Sequence, residues 1–187
     1  MKLNTEKSQV LYQILLDAYT EPHRHYHTVQ HIVECLDLYH QVKKQLEQTL
    51  WVELAIWFHD VVYDPQSNEN EMRSALLMQD LCEEFLDDDA IATVFLWILA
   101  TRYHQSSDQA DLNYLLDIDL AILGASSARF LQYEQQIRQE YSWVSIDTYT
   151  VKRAEILHHF ACQKPIYKTP YFQQRLEKMA QANLSCY

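Results

Sequence analysis

The sequence predicts an all-α protein, a single globular bundle of about eight or nine helices spanning residues 1–187. Three observations carry that expectation. One glycine stands in 187 residues, where roughly 7% is usual, and folds built on tight turns, bulges or phosphate-cradling loops need several. Only four prolines interrupt the chain. Hydrophobic residues make up 48% of it and recur at helical spacing almost throughout.

The elements follow in order. Leu11, Leu15, Ala18 and Tyr19 line a first helix, which ends before Glu21-Pro22 because a residue preceding proline avoids helical angles. Thr28 is placed to cap a second, whose apolar face is Ile32, Cys35, Leu36 and Tyr39. A third fits residues 50–62 and stops before Asp64-Pro65, opening a loop over 64–70. Further helices fit 71–86, 88–103 and 112–123, with Gly124 suited to a left-handed C-terminal cap. Ser126 or Ser127 starts the next helix, near 127–141, and Asp147 is placed to cap one that runs through Phe160. Thr169-Pro170 opens a last helix to about Ala182. No repeat or flexible linker divides the chain.

The formal net charge of −11 disfavours binding to a nucleic-acid polymer and leaves a small phosphorylated substrate open. The charge is uneven. Residues 80–119 carry ten acids and one base, Arg102, whereas 129–178 carry five acids and eight bases. Cys35, Cys82, Cys162 and Cys186 form no C-x-x-C pair and read as buried, reduced thiols. The N-terminal residues lack an apolar signal core, and the longest mainly apolar stretch, 91–100, falls short of a bilayer span of about 20 residues. A soluble cytoplasmic protein with no membrane partner is expected.

Nine histidines are present, four of them within nine residues: His23, His25, His27 and His31. His27 and His31 share roughly one helix face. The pair His59-Asp60 follows an apolar run, where a buried helix nears its end, and an acidic doublet, Asp117 and Asp119, lies among leucines and isoleucines. A carboxylate drawn into such surroundings needs a cation or strong donors, and histidine with carboxylate suits divalent Mn, Fe, Co, Ni or Zn. Taken singly, Asp117 also reads as a surface acid and Asp119 as a helix cap. His40 reads as exposed; of His158 and His159, one packs and the other faces water.

The series His31, His59-Asp60, Asp119 resembles the H…HD…D signature of the HD-domain superfamily of metal-dependent phosphohydrolases. YHTVQHI at 26–32 is similar to a segment of cyclic-nucleotide phosphodiesterases. The words EPHRHYHT, AIWFHDVVYDP, NENEMRSA and LLDIDLAILGA together resemble a small bacterial subfamily of HD phosphohydrolases over essentially the whole chain. The resemblance implies an HD-domain-like bundle with a metal-site core at about 20–124 and C-terminal helices at about 126–182. It implies that His31, His59, Asp60 and Asp119 bind one divalent cation (Mn, Co, Ni, Fe, Zn or Mg). Asp119 is chosen over Asp117 because the superfamily's acid precedes a small apolar helix. Two-metal members carry two further histidines between the HD pair and the last aspartate; here only His104 lies between, so one ion is expected.

The implied activity is hydrolysis of a small phosphate ester or anhydride, a nucleotide among the candidates. Asp64 or Glu71 would orient or deprotonate the water, His27 or His104 would protonate the leaving group, and Arg24 would hold a phosphate oxygen, with His104 also placed to contact substrate. Arg24 reads equally as an exposed loop cation; Lys152 and Arg153 are weaker candidates. Two other readings keep the scaffold: a non-enzymatic metal-binding or ligand-sensing module, and a di-iron oxygenase, which needs histidines this chain lacks.

Overall fold

The computed structural model describes residues 5–185 and 187, with side chains from Lys7 onward. Among them are nine α-helices and no strand: α1 (Thr5–Tyr19), α2 (Val29–Val42), α3 (Thr49–Phe58), α4 (Asn70–Cys82), α5 (Asp88–Ala100), α6 (Ala110–Asp119), α7 (Ser127–Glu140), α8 (Ile146–Cys162) and α9 (Pro170–Leu184). Short 3-10 turns follow α2 (Lys43–Gln45) and α6 (Leu120–Gly124). The all-α expectation holds. Among the described residues, no helix is long and apolar enough to cross a membrane.

The core forms where α2, α3, α5 and α6 meet. Ile32 and Tyr39 from α2, Ile56 and Phe58 from α3, Ile98 from α5 and Leu115, Leu116 and Ile118 from α6 are all essentially inaccessible. Outside this centre α4 packs on α5, and α9 lies against the 3-10 turn after α6.

Side-chain caps start several helices: Thr28 accepts from the Gln30 amide, Asp87 from Ala90, Ser126 from Arg129 and Ser145 from Thr148. Asp147 sits inside the first turn of α8, so Ser145 is the cap there. Thr169 precedes α9 as expected, but its hydroxyl donates to Asp117 Oδ2 at 2.7 Å and makes no cap.

With almost no glycine, the loops are held by acids that accept backbone amides, Asp111 and Asp117 buried and Glu177 half-buried. Asp111 takes Glu47 and Gln48 ahead of α3, Asp117 takes Lys168 and Thr169 ahead of α9, and Glu177 takes Ile166 and Tyr167. Each bond satisfies a backbone donor in a segment between helices.

Gly124 has a different reason from the expected one. Its φ is not positive, so it is no left-handed cap. A Cβ there would lie 2.6 Å from the Leu176 Cβ, 2.7 Å from the Tyr167 hydroxyl and 2.9 Å from the Leu176 carbonyl oxygen. The glycine lets α9 approach the turn below α6.

The third helix stops at Phe58, four residues early. The carbonyls of Asp60 and Val61 are taken by Arg24, at 2.7 and 2.8 Å, and Ser74 of α4 bonds both the amide and the carbonyl of Val62. The backbone after His59 is therefore satisfied outside a helix. Cys35 and Cys82 are buried free thiols, but Cys162 is exposed, as are both His158 and His159; α8 lies at the surface and turns that face to water. His40 is exposed as expected. Cys186 lies outside the described residues.

Candidate metal centre

Three segments converge. His31 comes from the first turn of α2, His59-Asp60 from the end of α3, and Asp119 from the last residue of α6. Both imidazoles are 2% exposed. The break after Phe58 lets the adjacent His59 and Asp60 face one point, which continued helix would oppose by turning them about 100° apart.

The Nε2 atoms of His31 and His59 lie 3.2 Å apart. Asp119 Oδ1 is 3.3 Å from the first and 3.4 Å from the second, and Asp60 Oδ2 is 3.7 and 3.0 Å from the same two atoms. Two ligands of one ion, each about 2.1 Å from it, stand roughly 3.0–3.5 Å apart in octahedral or tetrahedral sites. The observed separations fall in or beside that range. One donor atom from each of His31, His59 and Asp119 fits within a span of 4.8 Å, a group able to hold a metal ion. Asp60 borders it.

The surrounding bonds aim these groups. His59 Nδ1–H donates to the Ile56 carbonyl at 2.9 Å, which turns Nε2 to the cluster. His104 Nε2 lies 2.8 Å from Asp119 Oδ2, so the other carboxylate oxygen is the one that faces the imidazole pair. His104 itself has a φ of 49°, a left-handed backbone uncommon outside glycine; it ends the turn after α5 and swings the ring onto Asp119.

Charge at the cluster follows from burial and neighbours. Burial works against protonating His59, but Asp60 and Asp119 outweigh it and hold its pKa well above the ordinary value. Burial opposes ionising Asp60 and Asp119, yet His59 foremost keeps both well below the usual carboxylate range. The carboxylates thus stabilise positive charge at this point, the electrostatic preference of a cation site.

His27 lies one turn before His31 and contributes to a different network. Glu140, at the end of α7 with its side chain wholly enclosed, receives the amides of His25, Tyr26 and His27 on Oε1 at 2.8, 2.7 and 3.0 Å. Its Oε2 lies 2.8 Å from His27 Nδ1 and accepts the Tyr63 hydroxyl at 2.9 Å. Despite burial, the His27 charge and these bonds bring Glu140 down to about 2. Burial lowers His27, but Glu140 more than offsets it and the pKa is raised. The imidazole stacks on Tyr63, with ring centres 4.1 Å apart.

The other expected site residues divide. Glu71, in the first turn of α4, lines one cavity of about 860 Å³ together with His27 and Asp60. Asp64 does not join them: it is exposed, its carboxylate accepts from the Gln66 amide, and it lines a neighbouring cavity with His23 and His25. His104 does not line the large cavity, because its Nε2 is turned to Asp119. Arg24 is no exposed loop cation and does not line that cavity. Its side chain is fully enclosed and donates to the carbonyls of His27, Asp60 and Val61 and to Glu21. It fastens the histidine-rich segment to the His59-Asp60 turn. Asp117 is buried and devoted to Lys168 and Thr169, which separates it from Asp119.

Glu140 is the residue that sequence reasoning missed. Phe130, Tyr133, Ile137 and Glu140 form the buried stripe of α7, so a carboxylate at an apolar register position was the available signal. No family model, curated protein or solved structure gives a match to the chain.

Proposed function

We propose that the chain is a divalent-metal-dependent phosphohydrolase of the HD-domain type. The observation that supports this reading is the convergence of His31, His59 and Asp119, with Asp60 beside them, at spacings suited to ligands of one ion. These residues would hold one Mn, Fe, Co, Ni or Zn ion, the ions that suit mixed imidazole and carboxylate donors; Mg favours all-oxygen sites. Such a cation, when bound, activates water and polarises a phosphoryl oxygen.

The chain's own groups supply the rest. Glu140 occupies Nδ1 of His27 and leaves Nε2 to serve the cavity. With its pKa raised by Glu140, His27 holds a proton further into the neutral range and can give it to a leaving oxygen. Glu71, on the cavity wall, is placed to take a proton from water. His104 keeps Asp119 turned to the histidines.

The experiment is turnover of a panel of phosphomonoesters, nucleotides and cyclic nucleotides with Mn, Co, Ni and Mg. Hydrolysis that is lost in His59→Ala and Asp60→Ala is the expected result. Tight ligand binding without turnover of any compound would replace this reading with a sensing module. A di-iron oxygenase would need a second ligand group, and the described residues gather none.

A further inference from the structure

An anion seated beside His27 and Asp60 needs a cationic anchor from the chain, and most nearby cations are engaged. Arg24 is enclosed and fastened to three carbonyls and Glu21. Arg153 of α8 is bound to Glu134 and lies over the Tyr133 ring. Lys152 pairs with Glu155 at 2.8 Å. Arg102 differs from all three. It lines the same cavity as His27, Asp60 and Glu71, it is exposed, and among the described residues no carboxylate lies within ion-pair distance of it. Its guanidinium carbon lies over the Tyr103 ring, 5.3 Å from the ring centre, a cation–π contact that needs none of the five N–H donors.

Its placement adds a second argument. Arg102 is the one base among the ten acids of residues 80–119. It stands two residues before His104, whose ring holds Asp119 at 2.8 Å. The segment after α5 thus carries both the partner of Asp119 and, two residues earlier, the guanidinium that lines the cavity. The acids that line the cavity, Asp60 and Glu71, would repel an incoming phosphate, so an unengaged cation lining the same cavity has a distinct electrostatic consequence.

We propose that Arg102 is the anion anchor of the cavity, binding phosphoryl oxygens of the substrate whose reacting end lies beside His27 and Asp60. This rests on the phosphohydrolase reading. A planar guanidinium can present two parallel N–H bonds to two phosphate oxygens, which a lysine cannot.

The test is calorimetric binding of inorganic phosphate to the full chain loaded with Mn²⁺, for the wild type, Arg102→Ala and Arg102→Lys. Because Arg102 is exposed and outside the cluster, both variants keep the wild-type melting temperature and Mn²⁺ affinity. The expected result is phosphate affinity reduced about tenfold or more in Arg102→Ala and partly recovered in Arg102→Lys. Equal phosphate affinity in wild type and Arg102→Ala overturns the anchor and leaves the phosphohydrolase reading standing. A wild-type chain that takes up no Mn²⁺, or takes up Mn²⁺ but no phosphate, overturns that reading and the anchor with it.

Discussion

Replacing Glu140 with glutamine tests how the histidine-rich segment is held. The carboxylate is enclosed and gathers three consecutive backbone amides, an imidazole and a phenol. Its pKa falls from 4.5 to about 2, and at about 1.4 kcal/mol per unit that corresponds to roughly 3 kcal/mol of stability. The sign is that of a depressed acid. The contribution is complete above pH 4.5 and disappears as pH falls toward 2, where the folded-state group protonates. Glutamine keeps an oxygen for the amides but presents an NH₂ where His27 and Tyr63 require an acceptor. Urea unfolding followed by circular dichroism, with chelator present so that metal linkage does not enter, should show Glu140→Gln less stable by about 3 kcal/mol at pH 7. The gap should narrow steadily between pH 4.5 and 2.5. Equal stabilities at pH 7, or a gap that stays constant down to pH 2.5, would refute the assignment of Glu140 as an ionised clamp.

Other substitutions probe other joints. Gly124→Ala would ordinarily stabilise slightly by restricting the unfolded chain, but here the Cβ meets Leu176 and Tyr167. A loss of about 1–3 kcal/mol is expected in thermal unfolding, and a gain would refute the close-approach argument. Arg24→Met strands the carbonyls of His27, Asp60 and Val61 and should cost roughly 3 kcal/mol while weakening Mn²⁺ binding. A fully stable variant that binds Mn²⁺ normally and loses only phosphate affinity would restore Arg24 as a substrate residue. His104→Ala frees Asp119 Oδ2 and should weaken Mn²⁺ binding by about 10- to 100-fold in calorimetry; unchanged affinity would show that Asp119 needs no support.

Much of the fold was legible because helical periodicity and capping residues are local. Thr28, Ser126 and the Thr169-Pro170 pair mark helix starts within a few residues. What went astray depended on contacts across the chain. The early end of α3 depends on Arg24 and Ser74, 36 and 12 residues away from the groups they bind. Gly124 looked like a cap because its need for space comes from α9, which no local pattern shows. At the site, His31, His59, Asp60 and Asp119 could be singled out by residue type and order, and the structure brings them together. Arg24 and Asp64 stand close in sequence to that motif, but proximity does not fix direction: one side chain turns inward to carbonyls, the other into its own loop turn. Glu140 is 113 residues from His27, and only its place on an apolar stripe hinted that it was buried.

The account stands or falls on one metal centre. The most direct measurement is the metal content per chain, by mass spectrometry of the ions, after the wild type and the His59→Ala and Asp119→Ala variants are equilibrated with Mn²⁺ and dialysed. One ion per wild-type chain, with none retained by either variant, is the predicted result. A wild-type chain that retains no ion, or variants that retain as much as the wild type, would contradict it.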